Sequence, residues 1–484
     1  MSAATARIRE GLEVDGFQVG PCIHRGGMAM LWEVVHPDHA LPLLLKAPVI
    51  SEGSDPAAIV GFDMERMILP RLAGPHVPRV IASGTWGLQP YLVMERIPGP
   101  SLLAQLPSLP WPPDRVALLG ARIATALEDL HRQHLVHLDV KPSNLLQRPT
   151  GEIVLVDYGL SYHDQLPDLM AEAFRLPYGT GPYMAPEQVL GHRRDPRSDL
   201  FALGVLLYFF ATGRRPFGDP QRLSGLKRRL WRDPHPPRAL REDCPPWLQE
   251  VILHCLEVNP AWRYPSAGHL AFELRHPDQV TLTARSERLK RDGWATVLRR
   301  RFNQDHLQPF RRERVLAHQA DAPIVAVAVD LTEDSLPGAE ALRSTVAQAL
   351  RSLPGSRLAC LHVLKQGVLT PDDTLDAEGR NKHLQRLLEL RHWAEPLKLD
   401  EGRTSFHVLE SPHPATAILA YVHANHVDHL LLGARSRSLR RTLLGSVSSE
   451  VAAHAACTVT IVRPRRSARE AAEGDGEDGG WTVG

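Results

Sequence analysis

Polar residues that could handle a phosphate and a metal are concentrated in one apolar stretch, LVHLDVKPSNLL, at residues 135–146. It contains Asp139, Lys141 and Asn144, and Asp157 follows an apolar run in VLVDYGL. Burying unpaired ions is costly, so a chance placement would predict only an exposed loop. Phosphoryl transfer needs a carboxylate to orient the attacking hydroxyl, a nearby cation and hard oxygen ligands for magnesium. Asp139 suits the first role and Lys141 the second, while Asn144 and Asp157 offer the oxygen ligands.

The bulk composition fits a protein of two or three globular domains. The chain has 484 residues, of which 43% are hydrophobic and 23% charged, values typical of soluble proteins. A net charge of +1 gives no tendency toward nucleic acid or membrane, so neither is an expected partner. Five dispersed cysteines and an N-terminus without an apolar secretory segment lead us to expect a cytoplasmic protein. The longest apolar run, at 200–213, is too short for a bilayer of about 30 Å and predicts a buried helix.

The hydrophobic patterns divide the chain into four regions. From 14 to 275, strand-like runs such as MLWEVVHP give way to helical periodicity after Trp111. Residues 276–320 are rich in arginine and are interpreted as a basic linker, with a docking surface as the alternative. From 321 to 465, short β-type runs alternate with helical stretches, which predicts βαβ units and a parallel sheet. The acidic, glycine-rich residues 466–484 are expected to be disordered.

The motifs of the first region, in this order and spacing, resemble those of the eukaryotic-type (bacterial) Ser/Thr protein kinases. HLDVKPSN is similar to the catalytic loop of that family, DYG to its metal-binding motif and YMAPE to the end of its activation segment. LLLK supplies the strand lysine, Lys46, and Glu65 stands at the spacing of its helix partner. YLVMERI resembles the strand before the adenine-binding hinge, which begins at Glu95. Gly26 and Gly27 remain from the glycine-rich loop.

The resemblance implies an α+β bilobal protein kinase fold and an enzyme that uses ATP with magnesium or manganese. It makes Asp139 and Lys141 catalytic, and it makes Asn144 and Asp157 the metal ligands. The residues that it assigns to ATP binding are Gly26, Gly27, Lys46, Glu65 and Glu95. A lysine two positions after the catalytic aspartate is the pattern of the serine/threonine-directed branch. Serine or threonine hydroxyls of protein substrates are therefore expected to accept the phosphate.

Three departures from the family pattern bear on activity. His24 and Ala29 stand where glycines are common in the phosphate loop. Leu138 stands where an arginine usually contacts a phosphorylated activation segment, and Tyr158 replaces phenylalanine in the DFG motif. Two alternatives stay open: an ATP-binding pseudokinase scaffold in stress signalling, and a small-molecule kinase. Small-molecule kinases generally lack the peptide platform that residues 179–187 would form.

The last folded region resembles the universal stress protein family, whose ATP-binding members carry Gly-x-x-Gly, a nine-residue gap and Gly-Ser. Gly433 fits the first glycine, and Gly445 and Ser446 fit the last pair. Ser436 replaces the second glycine, and the gap is one residue short. Asp330, after the first strand run, is the expected adenine or ribose contact. The resemblance implies a Rossmann-like α/β domain with a five-stranded parallel sheet that senses nucleotide or forms a homodimer, and so regulates the first domain. The alternative is that the glycines only make turns.

We predict that phosphorylation of the activation segment is not the main switch of this protein. Between Asp157 and Glu187 the sequence has only Ser161 and Thr180 as hydroxyl residues besides tyrosines, and Thr180 is expected to face the substrate site. Leu138 also removes the arginine that would read a phosphate. The Ser161→Ala variant should therefore keep most of its phosphotransfer activity in a radiolabel assay. Loss of most activity in a variant with an unchanged circular dichroism spectrum would contradict this prediction.

Overall fold

The computed structural model describes residues 8–26, 28–49, 56–86, 89–174, 177–302, 323–331, 336–365, 382–399, 403–433 and 446–463. They fall into two compact units, one within residues 8–302 and the other within residues 323–463. Gly27, Gly445 and the acidic stretch 466–484 were singled out by the sequence analysis and lie outside the described residues.

The first unit begins with an antiparallel sheet and one long helix, α1 (Pro56–Ile68). The strands are β1 (Glu13–Val14), β2 (Phe17–Arg25), β3 (Ala29–His36), β4 (His39–Pro48), β5 (Val80–Trp86) and β6 (Gln89–Glu95). Their spatial order is β1-β2-β3-β4-β6-β5. In β4 the side chains of Leu43, Leu45 and Ala47 are buried on one face, so the two-residue period places Lys46 on the other face.

A helical lobe follows the sheet. Its helices are α2 (Pro113–Arg132), α3 (Leu169–Ala173), α4 (Pro186–Val189), α5 (Arg197–Thr212), α6 (Leu223–Leu226), α7 (Pro246–Cys255), α8 (Ala267–Arg275) and α9 (Trp294–Phe302). Two short antiparallel pairs flank the polar stretch 135–146. They are β7 (Leu135–Val136) with β10 (Tyr162–His163), and β8 (Leu145–Gln147) with β9 (Ile153–Leu155). The catalytic-loop residues therefore lie between two strands that each pair with a later segment.

The apolar run at 200–213 forms most of α5, which is buried on nearly all sides as the sequence predicts. Close packing explains one of its glycines. A Cβ on Gly204 would lie 2.5 Å from Cβ of Cys255 on α7, so a larger residue would push the two helices apart. Among the helices that the structure describes, none is both long enough and apolar enough to cross a bilayer.

A buried ion pair braces the helical lobe. The guanidinium of Arg263 contacts the carboxylate of Glu187 through two bonds of 2.6 and 2.8 Å, and both side chains are almost fully buried. Ser198 Oγ donates to Glu187 Oε1 at 2.7 Å, and the remaining Arg263 donors reach backbone carbonyls. Because every charged group here has partners, the pair can stay ionised without solvent.

The basic region after residue 275 differs from the solvated linker that its composition indicates. Its described part packs on the helical lobe, where Arg285 contacts Glu250 at 3.0 Å and Glu257 at 2.9 Å. Gln249, buried on α7, donates to three backbone carbonyls of the same stretch. Further ion pairs join Arg288 and Arg300 to Asp233. Several of these arginines therefore form ion pairs with carboxylates of the helical lobe.

The second unit is a parallel sheet with helices on both faces. Its strands are β11 (Ile324–Ala328), β12 (Arg357–Lys365), β13 (Thr404–Ser411), β14 (His429–Gly433) and β15 (Thr458–Val462). Its helices are α10 (Leu336–Ser352), α11 (Lys382–Ala394), α12 (Pro414–Ala424) and α13 (Ser446–His454). The strand order is β13-β12-β11-β14-β15, and all four pairs are parallel. The two units confirm the predicted fold classes, a bilobal α+β fold and a Rossmann-like domain with five parallel strands.

Candidate active site

A lysine from the sheet lies between two carboxylates from distant segments. Lys46 is on β4, Glu65 is on α1, and Asp157 follows β9 by two residues. The Nζ of Lys46 is 2.5 Å from Oε2 of Glu65 and 3.0 Å from Oδ1 of Asp157. Glu65 is buried, whereas 48% of the Asp157 side chain is exposed. Asp157 can therefore reach a ligand, while Glu65 acts only through Lys46.

The charges of this group depend on one another. Burial by itself lowers the pKa of Lys46, but the carboxylates of Asp157 and Glu65 outweigh it and raise that pKa well above its ordinary value. Burial raises the pKa of Glu65, and the Lys46 ammonium opposes this rise. The same ammonium lowers the pKa of Asp157. At neutral pH the site therefore keeps a cation beside an ionised, half-exposed carboxylate.

Asp139 lies at the centre of a hydrogen-bonded cluster. Lys141 Nζ donates to its Oδ2 at 2.6 Å, and Asn144 Nδ2 donates to the same oxygen at 3.1 Å. The hydroxyl of Thr180 donates to Oδ1 at 2.7 Å and accepts from Lys141 Nζ at 3.0 Å. A threonine hydroxyl is thus already bound to the aspartate and the lysine. The cluster can receive an aliphatic hydroxyl and hold a cation against it.

Asn144 and Asp157 provide oxygen atoms of the kind that magnesium prefers. The amide nitrogen of Asn144 donates to the backbone oxygen and to Oδ2 of Asp139, so its orientation is fixed and its amide oxygen is the remaining polar atom. That oxygen also accepts from Ser143 Oγ at 3.2 Å, which leaves it a second lone pair. Magnesium in phosphoryl-transfer sites usually takes few protein ligands and completes its shell with phosphates and water. The donor set fits that arrangement.

Asp199 fixes the backbone from which Asp139 projects. Its carboxylate accepts from the backbone nitrogens of His137 and Leu138, both at 2.8 Å, and from His131 Nε2 at 2.9 Å. Leu138 has a φ of +63°, a conformation that is unfavourable for a side chain with a Cβ. Burial lowers the pKa of His137, which favours a neutral ring with a structural role. The carboxylate therefore stabilises a strained turn beside the reacting groups.

The DYG turn is held by a tyrosine hydrogen bond and by close glycine packing, neither of which can be predicted from its sequence. Asp157 has a φ of +70°, and the buried Tyr158 donates its hydroxyl to the Leu155 carbonyl at 2.9 Å. A Cβ built on Gly159 would lie 3.0 Å from the backbone oxygen of Gly61 on α1. The tyrosine is therefore more than a mild substitution, since phenylalanine could not make this bond. The two glycines let α1 approach the metal-binding turn closely.

The other described residues that the sequence assigns to ATP binding in this unit, Glu95 and Gly26, already have partners within the protein. The Glu95 carboxylate pairs with Arg148 at 2.5 and 3.0 Å, and this pairing lowers the pKa of Glu95. Only the backbone of Glu95 is therefore available to adenine. The Gly26 amide donates to the Ala29 carbonyl at 2.9 Å. His24 is exposed, and its ring lies over Gly26, where an added Cβ would be 3.2 Å from Nε2.

The residues predicted for the second unit gather at one edge of its sheet. Asp330 lies two residues beyond β11, and Gly433 ends the neighbouring strand β14. Ser448 of α13 donates to the Gly433 carbonyl at 3.3 Å, which brings the start of that helix, Ser446, to the same edge. The order of strands reverses between β11 and its neighbours, and ligands of such sheets bind where this happens.

The sequence analysis missed several residues of the site. It predicted a buried helix at 200–213 but gave no role to Asp199, Gly61 or Arg229. Arg229 is buried and donates to the backbone carbonyls of Gly181 and Met184 in the activation segment. An aspartate in the first turn of an otherwise apolar helix could have indicated a structural role for Asp199. No local pattern distinguishes Arg229 from the other arginines of the sequence KRRLWR.

Comparison with known families agrees with the geometry of the first unit. A family model described as "Protein kinase domain" matches residues 26–273, which is 248 of 484 residues. The chain belongs to the protein kinase family. A second model, "Universal stress protein family", matches residues 322–463, in the part that contains the parallel sheet. The kinase domain therefore carries the lysine–carboxylate group and the Asp139 cluster, and the universal stress protein domain carries the second predicted site.

Curated relatives of the kinase domain include two mycobacterial kinases. The serine/threonine-protein kinase PknA of Mycobacterium tuberculosis is 33% identical over 276 residues, which cover 54% of this chain and 62% of PknA. PknL of Mycobacterium bovis is 33% identical over 234 residues, or 48% of this chain and 58% of PknL. The chain thus spans about three fifths of the length of these relatives. The solved kinase domain of M. tuberculosis PknI is similar with a TM-score of 0.44 and 23% identity, covering 56% of this chain and 99% of that one.

Replacing Lys46 by methionine should make the stability of the kinase domain fall more steeply with rising pH. Without the ammonium, burial is the dominant influence on the pKa of Glu65 and raises it, so the folded state keeps a proton that the unfolded chain releases. The free energy of unfolding should then decrease between pH 5 and 8 by up to about 1.4 kcal/mol per pH unit. In the unsubstituted protein Lys46 also lowers the pKa of Asp157, and the stability that this provides is lost only as the pH falls into the acidic range. The variant lacks this contribution at every pH.

The measurement is the melting temperature of the kinase-domain transition at several pH values, by calorimetry. The double variant Lys46→Met/Glu65→Gln is the matched control, because it lacks the titrating carboxyl and should lose the added slope. Identical slopes for the single variant and the unsubstituted protein would mean that Glu65 remains ionised without its partner.

Proposed function

We propose that this chain is a serine/threonine protein kinase that transfers the γ-phosphate of ATP to protein hydroxyls. The observation that carries the proposal is the Asp139 cluster, in which the Thr180 hydroxyl donates to the carboxylate at 2.7 Å beside the Lys141 ammonium. The names of the relatives PknA and PknL support the same activity. A serine or threonine of a substrate could take the same two partners.

The proposed roles follow from the contacts. Asp139 orients the acceptor hydroxyl and takes its proton, and Lys141 stabilises the charge of the transferring group. Lys46, oriented by Glu65, binds the α- and β-phosphates of ATP. Asn144 and Asp157 would hold magnesium or manganese, which would neutralise charge that develops on the phosphates. Because these parts come from separate segments, the roles depend on the fold that aligns them.

A protein substrate is favoured by the segment that leads from Gly179 to Glu187. This segment is anchored at its start by Thr180 on Asp139, in its middle by Arg229 on two carbonyls, and at its end by Glu187 on Arg263. A surface that is fixed at three points can align an extended peptide beside the acceptor site. A small metabolite would need no such platform.

Replacing Asp139 by asparagine should lower the transfer of radiolabelled phosphate by about 10²–10⁴-fold, because the amide cannot take the proton. The assay uses the full chain with magnesium, labelled ATP, and protein, peptide and metabolite acceptors in parallel. Magnesium-ATP should still raise the melting temperature of the variant, because Lys46 and Asp157 are unchanged.

Asp278→Asn, an exposed aspartate of the same domain, is the matched control and should behave as the unsubstituted protein. Stabilisation by magnesium-ATP without transfer to any acceptor would instead identify an ATP-binding scaffold. Transfer to metabolites alone would identify a small-molecule kinase.

We further propose that the universal stress protein domain senses nucleotide or forms a homodimer in the cytoplasm and so regulates the kinase domain. Asp330 and Gly433 lie at the strand-order switch, where a nucleotide would bind. All five thiols of the chain are free, which suits a reducing compartment. β15 is an edge strand whose residues are all at least partly exposed, including Val459 and Ile461. An edge with exposed apolar residues favours pairing with a second copy.

Lysine placed on this edge should weaken the dimer. Thr458→Lys adds a charge at the start of β15, and Thr404→Lys adds the same charge to β13 at the opposite edge as a matched control. Sedimentation velocity of the full chain, with and without ATP, should show more monomer for Thr458→Lys only. A monomer at all concentrations for the unsubstituted protein would reject the dimer, and identical profiles for both variants would reject this edge.

A further inference from the structure

Arg229 is a buried cation for which the described residues provide no carboxylate. Only 1% of it is exposed, and its donors reach the backbone carbonyls of Leu226, Gly181 and Met184. Burial lowers its pKa to about 10. Three carbonyl dipoles satisfy its hydrogen bonds but leave its net charge uncompensated.

The same lobe contains a buried arginine that has a carboxylate as its counter-ion. Arg263 is equally buried, and both of its terminal nitrogens contact the Glu187 carboxylate. The chain therefore supplies a counter-ion where an arginine serves only the fold. At Arg229 the described residues of the chain supply none, although this arginine lies under a segment that a substrate would touch. An uncompensated cation in a low-polarity site attracts negative charge from outside.

The position of Arg229 relative to the acceptor site follows from the chain. Arg229 donates to the carbonyls of Gly181 and Met184, which stand one and four residues after Thr180. The hydroxyl of Thr180 contacts Asp139. A Cβ on Gly181 would lie 2.8 Å from the Pro220 backbone oxygen, so the segment around Pro220 packs tightly against this loop. We call residues 181–184 and 215–229 together the basic platform.

The basic platform carries a strong excess of positive charge. Between residues 214 and 232 the sequence has seven arginines and lysines and one acid, Asp219. Arg215 covers the ring of Tyr183, with its guanidinium carbon 5.8 Å from the ring centre, and contacts Asp219 at 3.3 Å. The exposed cations on the segment that packs against the loop are Arg222, Lys227 and Arg228. Several like charges around one buried cation give a positive potential beside the acceptor hydroxyl.

We propose that the basic platform selects protein substrates that carry an acidic side chain, either a carboxylate or a phosphorylated residue, beside the serine or threonine that is phosphorylated. The proposal rests on the proposed kinase function and adds the class of substrate. The substrate anion supplies the counter-ion that the chain withholds from Arg229. The exposed cations attract that anion and position it.

Binding and transfer are measured separately, so that failure of the proposal differs from failure of the kinase function. Peptides of one sequence carry aspartate, phosphoserine, alanine or lysine at positions on either side of one serine. A second set has alanine in place of that serine and a fluorescent label for anisotropy with the full chain and magnesium. Aspartate and phosphoserine peptides should bind about tenfold more tightly than the lysine peptide. The difference should shrink as salt is raised, because exposed charges are screened.

The variant Arg222→Gln/Lys227→Gln/Arg228→Gln changes only exposed groups and should reduce this preference to less than about threefold. Arg229→Met should act mainly on the KM for peptides and leave the KM for ATP unchanged, unlike a variant that merely unfolds the domain. Arg9→Gln, an exposed arginine near the start of the sheet, is the charge-matched control and should keep the preference.

Equal binding of aspartate, alanine and lysine peptides would overturn the proposal even if transfer to peptides is rapid. Retained selectivity in the triple variant would overturn it as well. If no peptide is phosphorylated, the anisotropy experiment still tests the preference for acidic peptides, because it measures binding without phosphate transfer. Selectivity for phosphoserine over aspartate would narrow the substrates to proteins that are already phosphorylated.

Discussion

One ammonium group, the Nζ of Lys46, joins three parts of the kinase domain that are far apart in sequence. It lies 2.5 Å from Glu65 on α1 and 3.0 Å from Asp157 beyond β9. Burial by itself lowers the pKa of the lysine, and the two carboxylates more than offset this effect. Removing Lys46 would leave the buried Glu65 carboxylate without its cation. The orientations of α1 and of the DYG turn are therefore linked through this ammonium, and Gly61 and Gly159 allow the close approach that this requires.

A second constraint is the strained backbone from which Asp139 projects. A residue such as Leu138 at positive φ costs about 1–2 kcal/mol relative to an ordinary conformation. The amides of His137 and Leu138 both donate to Asp199. Their carbonyls accept from Ser161 Oγ at 3.1 Å and from Gln188 Nε2 at 2.9 Å. All four backbone polar groups of this dipeptide are thus bound by three side chains, which favours the strained turn over relaxed alternatives.

The sequence was sufficient to predict the fold classes, because periodicity and motif spacing report local structure directly. The resemblance to the kinase family also paired Lys46 with Glu65, since the strand lysine and the glutamate of the following helix stand at the spacing of that family. The sequence could not assign a role to Asp199 or Arg229, because both act on backbone atoms that carry no residue-specific signal. It treated the stretch after residue 275 as a solvated linker, because arginine content does not reveal which arginines meet carboxylates. Such long-range pairs, as at Arg285, appear only once the helices are packed.

The described parts of the activation segment, 157–174 and 177–187, are held by groups that the chain itself provides. Leu138 cannot read a phosphate, but Arg193 contacts the Asp168 carboxylate at 2.8 Å and donates to the Leu160 carbonyl at 2.9 Å. Ser161 is fully buried, so a kinase acting on it would first have to open the DYG region. The Asp168 carboxylate thus supplies Arg193 with a negative charge, as a phosphate does for an arginine in kinases that are switched by phosphorylation. Because no phosphatase can remove this charge, the contact between Arg193 and Asp168 does not depend on phosphorylation of the segment.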